Sequence, residues 1–331
     1  MEKHQQPKEQ FKTMIGGQAL IEGIMMRGPE KDAIVVRQGQ ELNIQVTARK
    51  LPPKKSLWNL PFLRGMRTFF DSQVTGVKAL MHSADLVPEE VEEEPSKLDL
   101  WLEKKLGNEK FQQLVIGFAV FMGLGMSIGL FFILPALIGS LFDFETTLAT
   151  NLVEGLIRIL IFLGYMLLVS RLKEMKRVFA YHGAEHKTIR CYEAGLPLTV
   201  ENVRQMSRLH PRCGTSFLLV VMVISILLFS VASSALMSLV PALETLRVEA
   251  KILFKLIMIV FKLALLPLVV AITYEINRWI GRHDNWFTRA MSAPGMWMQN
   301  FTTNEPDDAM IEVGIAAVEA VLPEEKGADK W

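Results

Sequence analysis

The residues best suited to chemistry lie in the heptapeptide YHGAEHK, Tyr181 to Lys187. On a helix His182 and His186, four apart, project from one face and can grip a single ion, with Glu185 beside them. The order H-x-x-E-H is that of the inverted zinc-protease motif. Five residues with two free positions recur by chance, so the pair needs further ligands. RLHPRCGTSF offers them. Pro211 is expected to stop a helix that begins after a Thr199 cap, which leaves His210 and Cys213 three apart in a tight turn. His182, His186, His210 and Cys213 together supply three imidazole nitrogens and one thiolate sulfur, a donor set that suits zinc. Zinc is therefore the expected cofactor.

Ligand number decides what such a site does. With three of the four side chains on the metal, a water fills the open position, and Glu185 can take its proton during attack on a carbonyl or phosphoryl group. That makes a zinc-dependent hydrolase with Glu185 as its catalytic residue. With all four bound the site is closed, and a closed tetrahedral site stabilises without hydrolysing. The chain would then be a scaffold, an assembly factor or a transport component, and Glu185 would orient a ligand imidazole from behind. The hydrolase is the reading carried forward.

The elements that must position these residues follow from the apolar pattern. Half of the 331 residues are hydrophobic, 21% are charged and the net charge is +1. That balance excludes a nucleic-acid binder driven by bulk positive charge. The apolar residues concentrate in four runs, Leu114 to Leu141, Leu152 to Ser170, Phe217 to Val240 and Ile252 to Thr273. A bilayer core about 30 Å thick is crossed by about 20 mostly apolar helical residues. The expected fold is thus an α-helical integral membrane protein with about four transmembrane helices and a small β-containing N-terminal segment. The second run reaches the length only by including Glu154 and Arg158, so a re-entrant segment is its alternative. Nine lysines and arginines fall between Arg171 and Arg212, whereas FDFETTLATN, between the first two runs, has none. The positive-inside rule then places the His/Cys loop, 171–215, and both termini in the cytoplasm. Cys191 and Cys213, the two cysteines, lie in that loop, where a structural disulfide is not expected. The polar start MEKHQQPKEQFK does not read as a signal peptide.

Around the spans the chain divides into pieces. Residues 1–57 form an N-terminal cytoplasmic segment in which DAIVVRQGQELNIQVTARK reads as a hairpin about Gly39, pairing with part of MIGGQALIEGIMMRG. Residues 58–87 have the rhythm of an amphipathic helix at the membrane surface. Residues 88–110 are an acidic linker leading into the 111–275 membrane domain. In the tail, 276–331, APGMWMQNFTTNEPDD reads as irregular and DDAMIEVGIAAVEAVL as an amphipathic helix. Lys262 lies near the middle of the last run, with Lys255 two turns earlier. A charge at that depth costs about 2.5–3.5 kcal/mol and needs a partner, for which Glu154 is the candidate and Arg158 its competitor. Gln18, Glu22 and Arg27, with Gln299, Thr302, Thr303 and Glu305, are candidates for lining a cleft.

Four stretches, GGQALIEGIMMRGP, YHGAEHKTIRCYEAGLPLTVENV, RLHPRCGTSF and PGMWMQNFTTNEPDD, together resemble the YqhQ-like family of bacterial membrane proteins. The resemblance runs over nearly the whole chain. It implies a multi-pass protein of the bacterial inner membrane, in a family of unknown function labelled predicted metal-dependent enzymes. It brings no established catalytic residue, and only the metal expectation maps onto His182, Glu185, His186, His210 and Cys213. The expected partners are the lipid bilayer, from the apolar runs, and, for a hydrolase at the inner membrane surface, a membrane-protein or lipid substrate.

Overall fold

The computed structural model describes residues 10–53, 55–87, 108–142, 146–325 and 327–330. The acidic linker, up to residue 107, lies outside them. Four short strands, β1 (Gly16–Leu20), β2 (Gly23–Arg27), β3 (Lys31–Gln38) and β4 (Glu41–Ala48), form one antiparallel meander in the order β1-β2-β3-β4. The expected hairpin is β3–β4, with Gln38 opposite Glu41 and Gly39 at φ 62°, a backbone that a side chain disfavours. It pairs through β2 with the preceding segment, as its alternating residues require.

Period-two alternation gives the sheet two apolar faces. Ile24, Met26, Ala33 and Val35 belong to one buried cluster with Ala180, Tyr181, Ala184, Val313, Ala317 and Val318. Those partners come from two helices, α5 (Lys173–Glu193) and α12 (Asp308–Val321). Leu20 and Met25, on the other face, pack with Ala79 of α1 (Leu63–Leu86). The last helix is therefore a core element of this unit, capped by Asp307, which accepts from Met310 N at 2.8 Å.

Between the strands and α12 come α2 (Asn108–Ile128), α3 (Leu134–Gly139), α4 (Thr147–Val169), α6 (Val200–Arg204), α7 (Gly214–Leu239), α8 (Ala242–Glu249), α9 (Lys251–Ala264), α10 (Leu266–Arg282) and α11 (Trp286–Thr302). Among the described residues, four helical stretches are long and apolar enough to cross a membrane: Gly117–Gly139, Leu148–Val169, Phe217–Leu239 and Lys251–Arg282. The second run is thus a full-length helix. The fourth differs from expectation in being two helices, because Pro267 cannot donate the backbone bond that would carry α9 past its cap at Leu265.

Three further expectations change. The stretch read as irregular is so only over 303–307; its first part, as far as Thr302, belongs to helix α11, started by a reciprocal Asn285–Thr288 capping box and continuing through Pro294. The cap signal in NWFT was outweighed by Pro and Gly. The helix begun at Thr199 is only α6, ending at Arg204 well before Pro211. The tail also does not stand apart: the described residues of Met1–Val87, Tyr165–Ser225 and Leu266–Trp331 form one compact unit, and those of Pro88–Gly164 and Ile226–Leu265 a second.

The second unit holds the charges expected in the apolar runs. Lys262 Nζ donates to Glu154 Oε2 at 2.5 Å, both side chains buried. Arg158 does not compete for that carboxylate. Its Nε donates to Phe131 O at 2.7 Å, with the guanidinium 5.1 Å and 5.7 Å from the Phe132 and Phe229 rings. Phe131 is the carbonyl four residues before Pro135, whose ring nitrogen has no hydrogen to give, and it lies in the π-helical turn Gly129–Ile133. Lys255 is half-buried and has no ion-pair partner among the described residues.

Candidate metal centre

Helix α5 carries the site on one face. His182, His186, Arg190 and Glu193 follow the three-to-four-residue spacing of a single stripe. Together with Lys187, that stripe holds down the segment that follows: Lys187 Nζ donates to Arg204 O at 3.0 Å, His186 Nδ1 to Arg208 O at 2.6 Å and Arg190 Nε to Leu209 O at 2.6 Å. Gln299 of α11 clamps the next residue, accepting from His210 N and donating to His210 O, each at 2.8 Å. Cys213, closing a turn from His210 O, is thereby delivered to α5.

One ligand atom from each of His182, His186 and Cys213 lies within 4.8 Å of the other two. Zinc bonds of about 2.0–2.3 Å at a tetrahedral angle put ligand atoms roughly 3.5 Å apart, and His182 Nε2 is already 3.2 Å from Cys213 Sγ. Both tautomers suit a metal. His182 Nδ1 is 2.7 Å from Thr302 O and His186 Nδ1 is 2.6 Å from Arg208 O, so each Nδ1 carries a proton and each Nε2 is the atom left to face a metal, which would displace any proton held there. His186 Nε2 and Glu185 Oε2 are buried with no hydrogen-bond partner. An unmet buried polar atom costs about 1–3 kcal/mol, and a cation among these groups would satisfy both. The donor set therefore fits a borderline-soft ion such as zinc.

Glu185 is oriented from the sheet. Its Oε1 accepts from Gly17 N at 2.9 Å. A Cβ on Gly17 would stand 2.6 Å from Met25 O and 3.1 Å from Glu185 Cδ, so this approach of strand to carboxylate needs glycine. Gly183 serves the opposite side of α5, where a Cβ would stand 2.0 Å from Asn304 O.

Electrostatics agree with a ligand cluster. Burial opposes the Cys213 thiolate, but His186 and His182 beside it hold the thiol well below its usual range. Burial likewise opposes charge on His182, yet Cys213 and Glu185 raise it to about 9. Burial pushes the Glu185 carboxyl up, against His182 and His186.

His210 is not brought to the cluster. Its Nε2 is 3.2 Å from Glu193 Oε2, while Glu193 also binds Arg212 and accepts from Thr13 N at 2.9 Å. Burial and the adjacent Arg212 keep His210 neutral, well below its usual pKa. The cleft candidates divide. Gln18 and Arg27 line a pocket of about 630 Å³ that Glu185, His186 and Cys213 also line. Glu22 instead pairs with Arg177 and Tyr181, Thr302 receives His182 through its carbonyl, Thr303 accepts from Arg208, and Glu305 pairs with Lys187 at 2.6 Å.

Residues that sequence reasoning passed over are Gly17, Glu193, Arg208 and Arg212. Glu193 had a legible signal, lying seven residues from His186 on the same helical face. The others act through backbone atoms or across the fold and leave no local pattern.

Residues 60–324 match the family described as "Protein of unknown function (DUF1385)". The chain is also 31% identical over 328 residues to "Uncharacterized protein YqhQ" of Bacillus subtilis (strain 168), covering 97% of this chain and 95% of that one. No solved structure matches it. The chain thus belongs to the DUF1385 family, as the four motifs shared with YqhQ-like proteins led one to expect.

Proposed function

We propose that this protein is an integral membrane metalloenzyme, a zinc-dependent hydrolase working at the cytoplasmic face of a bacterial inner membrane. The observation that carries the reading is a cluster of three ligands, His182, His186 and Cys213, two of which share a pocket of about 630 Å³ with Glu185. Three protein ligands and an open side are the arrangement of catalytic zinc; four closed ligands are that of structural zinc. The fourth candidate, His210, is engaged by Glu193. A structural staple also has little to do here, since the turn bearing Cys213 is already tied to α5 and α11 by hydrogen bonds.

Zinc, when bound, would supply Lewis acidity at the open side of the cluster. The chain supplies the rest. Gly17 N–H pins Glu185 Oε1, which leaves Oε2 as the atom that accepts a proton from water entering the pocket. Thr302 O and Arg208 O hold the two imidazoles in the ligating tautomer.

The membrane setting is supported by the four apolar helices and by the surface of the first unit. Leu63, Phe70, Val74 and Val77 form an exposed apolar stripe on α1, and Trp58, Trp279, Trp286 and Trp297 are exposed, as aromatic residues at a headgroup layer are. The basic residues between Arg171 and Arg212 support a cytoplasmic position for this side of the chain and for both termini.

The test needs no known substrate. Glu185→Gln keeps the shape and the ligands but removes the proton acceptor, worth about 10²- to 10⁴-fold in rate. The substituted protein should accumulate and retain zinc, yet fail to complement a deletion strain. Full complementation would end the hydrolase reading.

A further inference from the structure

We propose that the pocket beside the His/Cys cluster receives a phosphate-bearing anion, and that Arg67 and Arg278 are the residues that bind it. This names a substrate class for the hydrolase reading and rests on that reading only for what happens after binding.

The pocket is lined by arginine and by no lysine: Arg27, Arg49, Arg64, Arg67, Arg212 and Arg278. Four of these are committed within the protein. Arg27 pairs with Asp32 and Asp71, Arg49 with Asp32, Arg64 with Glu275 and Arg212 with Glu193. Arg67 and Arg278 make no side-chain hydrogen bond or close ion pair among the described residues: Arg278 Nε is buried without a hydrogen bond, and Glu275, which feels the Arg278 charge, is itself bonded to Arg64. Burial lowers the Arg49 pKa most, and Arg27 and Arg67 beside it lower it further against Asp32 and Asp71, so like charges are gathered here as well. Two guanidinium groups without an internal hydrogen bond, in a recess that four further arginines line beside Asp71 and Glu185, offer an anion a site to share. A phosphate monoester matches them in charge, and its oxygens match the fork of N–H donors that arginine presents and lysine lacks.

Size and surroundings narrow the anion further. A pocket of about 630 Å³ exceeds the needs of one phosphate and admits the group that carries it. Its lining also includes Met14, Met25, Leu51 and Tyr274, an apolar share suited to an organic substituent. Arg67 stands three residues before Phe70 on α1, at the border between the pocket side of that helix and its exposed apolar stripe. A phosphate attached to a lipid could reach the arginines from there, and a free phosphate could reach them through solvent. The chemistry at the guanidinium groups is the same in both cases.

The experiment uses the full-length protein in detergent, with inorganic phosphate followed by calorimetry and with phosphatidic acid against phosphatidylcholine followed by native mass spectrometry. The wild-type protein should bind phosphate or phosphatidic acid in preference to acetate or phosphatidylcholine. Arg67→Gln and Arg278→Gln should each weaken that binding by about tenfold, the loss expected for one charge-assisted contact. Arg67→Lys and Arg278→Lys keep the charge and should lose less, and the exposed Arg171→Gln should change nothing. Phosphatidic acid that inorganic phosphate cannot displace assigns the site to a lipid headgroup; ready displacement assigns it to a soluble phosphate. Equal binding by wild type and the Arg67→Gln/Arg278→Gln protein, or acetate held as tightly as phosphate, would overturn the proposal. The same titration on His186→Ala protein separates the two readings, because phosphate binding that survives loss of zinc keeps the arginine site and leaves only the hydrolase in question.

Discussion

Replacing His210 should leave zinc in place, whereas replacing His186 should remove it. The two histidines look alike in the sequence, and their rings lie only 5.6 Å apart centre to centre. Their surroundings differ. His186 Nε2 has no hydrogen-bond partner and belongs to the three-ligand cluster. His210 Nε2 faces Glu193, and the backbone on either side of it is held by Gln299. In His210→Gln the turn therefore keeps its clamp, and Glu193 keeps Arg212 and the Thr13 N–H. The loss is one hydrogen bond to a charged group, about 1.5–3 kcal/mol of stability, with zinc affinity little changed. In His186→Ala one of three ligands goes. Zinc sites in small domains bind with about 10–16 kcal/mol, so a third of that is about 3–5 kcal/mol, at least two powers of ten in dissociation constant. Zinc content per protein, followed by competition with a graded series of chelators, measures both. A His210→Gln protein that loses zinc as readily as His186→Ala would make His210 a ligand, close the site and refute the argument for an open position.

Three other outcomes are expected. Lys262→Met should lower the amount of folded protein by leaving Glu154 buried and unpaired, a cost of about 3–5 kcal/mol, and adding Glu154→Gln should restore most of it; no restoration in the double variant would refute the pairing. Cysteine labelling should reach position 204 from the cytoplasm only and position 146 from outside only, and label entering at 146 from the cytoplasm would mean that Leu148–Val169 does not span. Gly17→Ala should push β1 off Glu185, since the new Cβ meets Met25 O at 2.6 Å, costing about 1–3 kcal/mol of stability and complementing poorly with zinc retained; a fully active Gly17→Ala protein would show that the Gly17–Glu185 bond does not position the base.

What the sequence made legible was whatever is encoded by spacing. The hairpin about Gly39, the four apolar runs and the His182–His186 pair all depend on residues within one turn or one strand of each other. His210 shows the opposite: as a histidine three residues from Cys213 it has the type and spacing of a ligand, but in the fold its imidazole faces Glu193, seventeen residues away. The arginine pocket was equally hidden, since Arg27, Arg67, Arg212 and Arg278 come from a strand, two helices and a turn. The tertiary placement also changes what the N-terminal segment is for. Read alone, GGQALIEGIMMRG is a strand pair; in the fold its first strand gives Glu185 a hydrogen-bond donor that no side chain supplies, and its second contributes Arg27 to the pocket wall. The sheet therefore connects the proposed base to the proposed anion site, and a change in its register by one residue would disturb both, because every side chain on β1 and β2 would exchange faces.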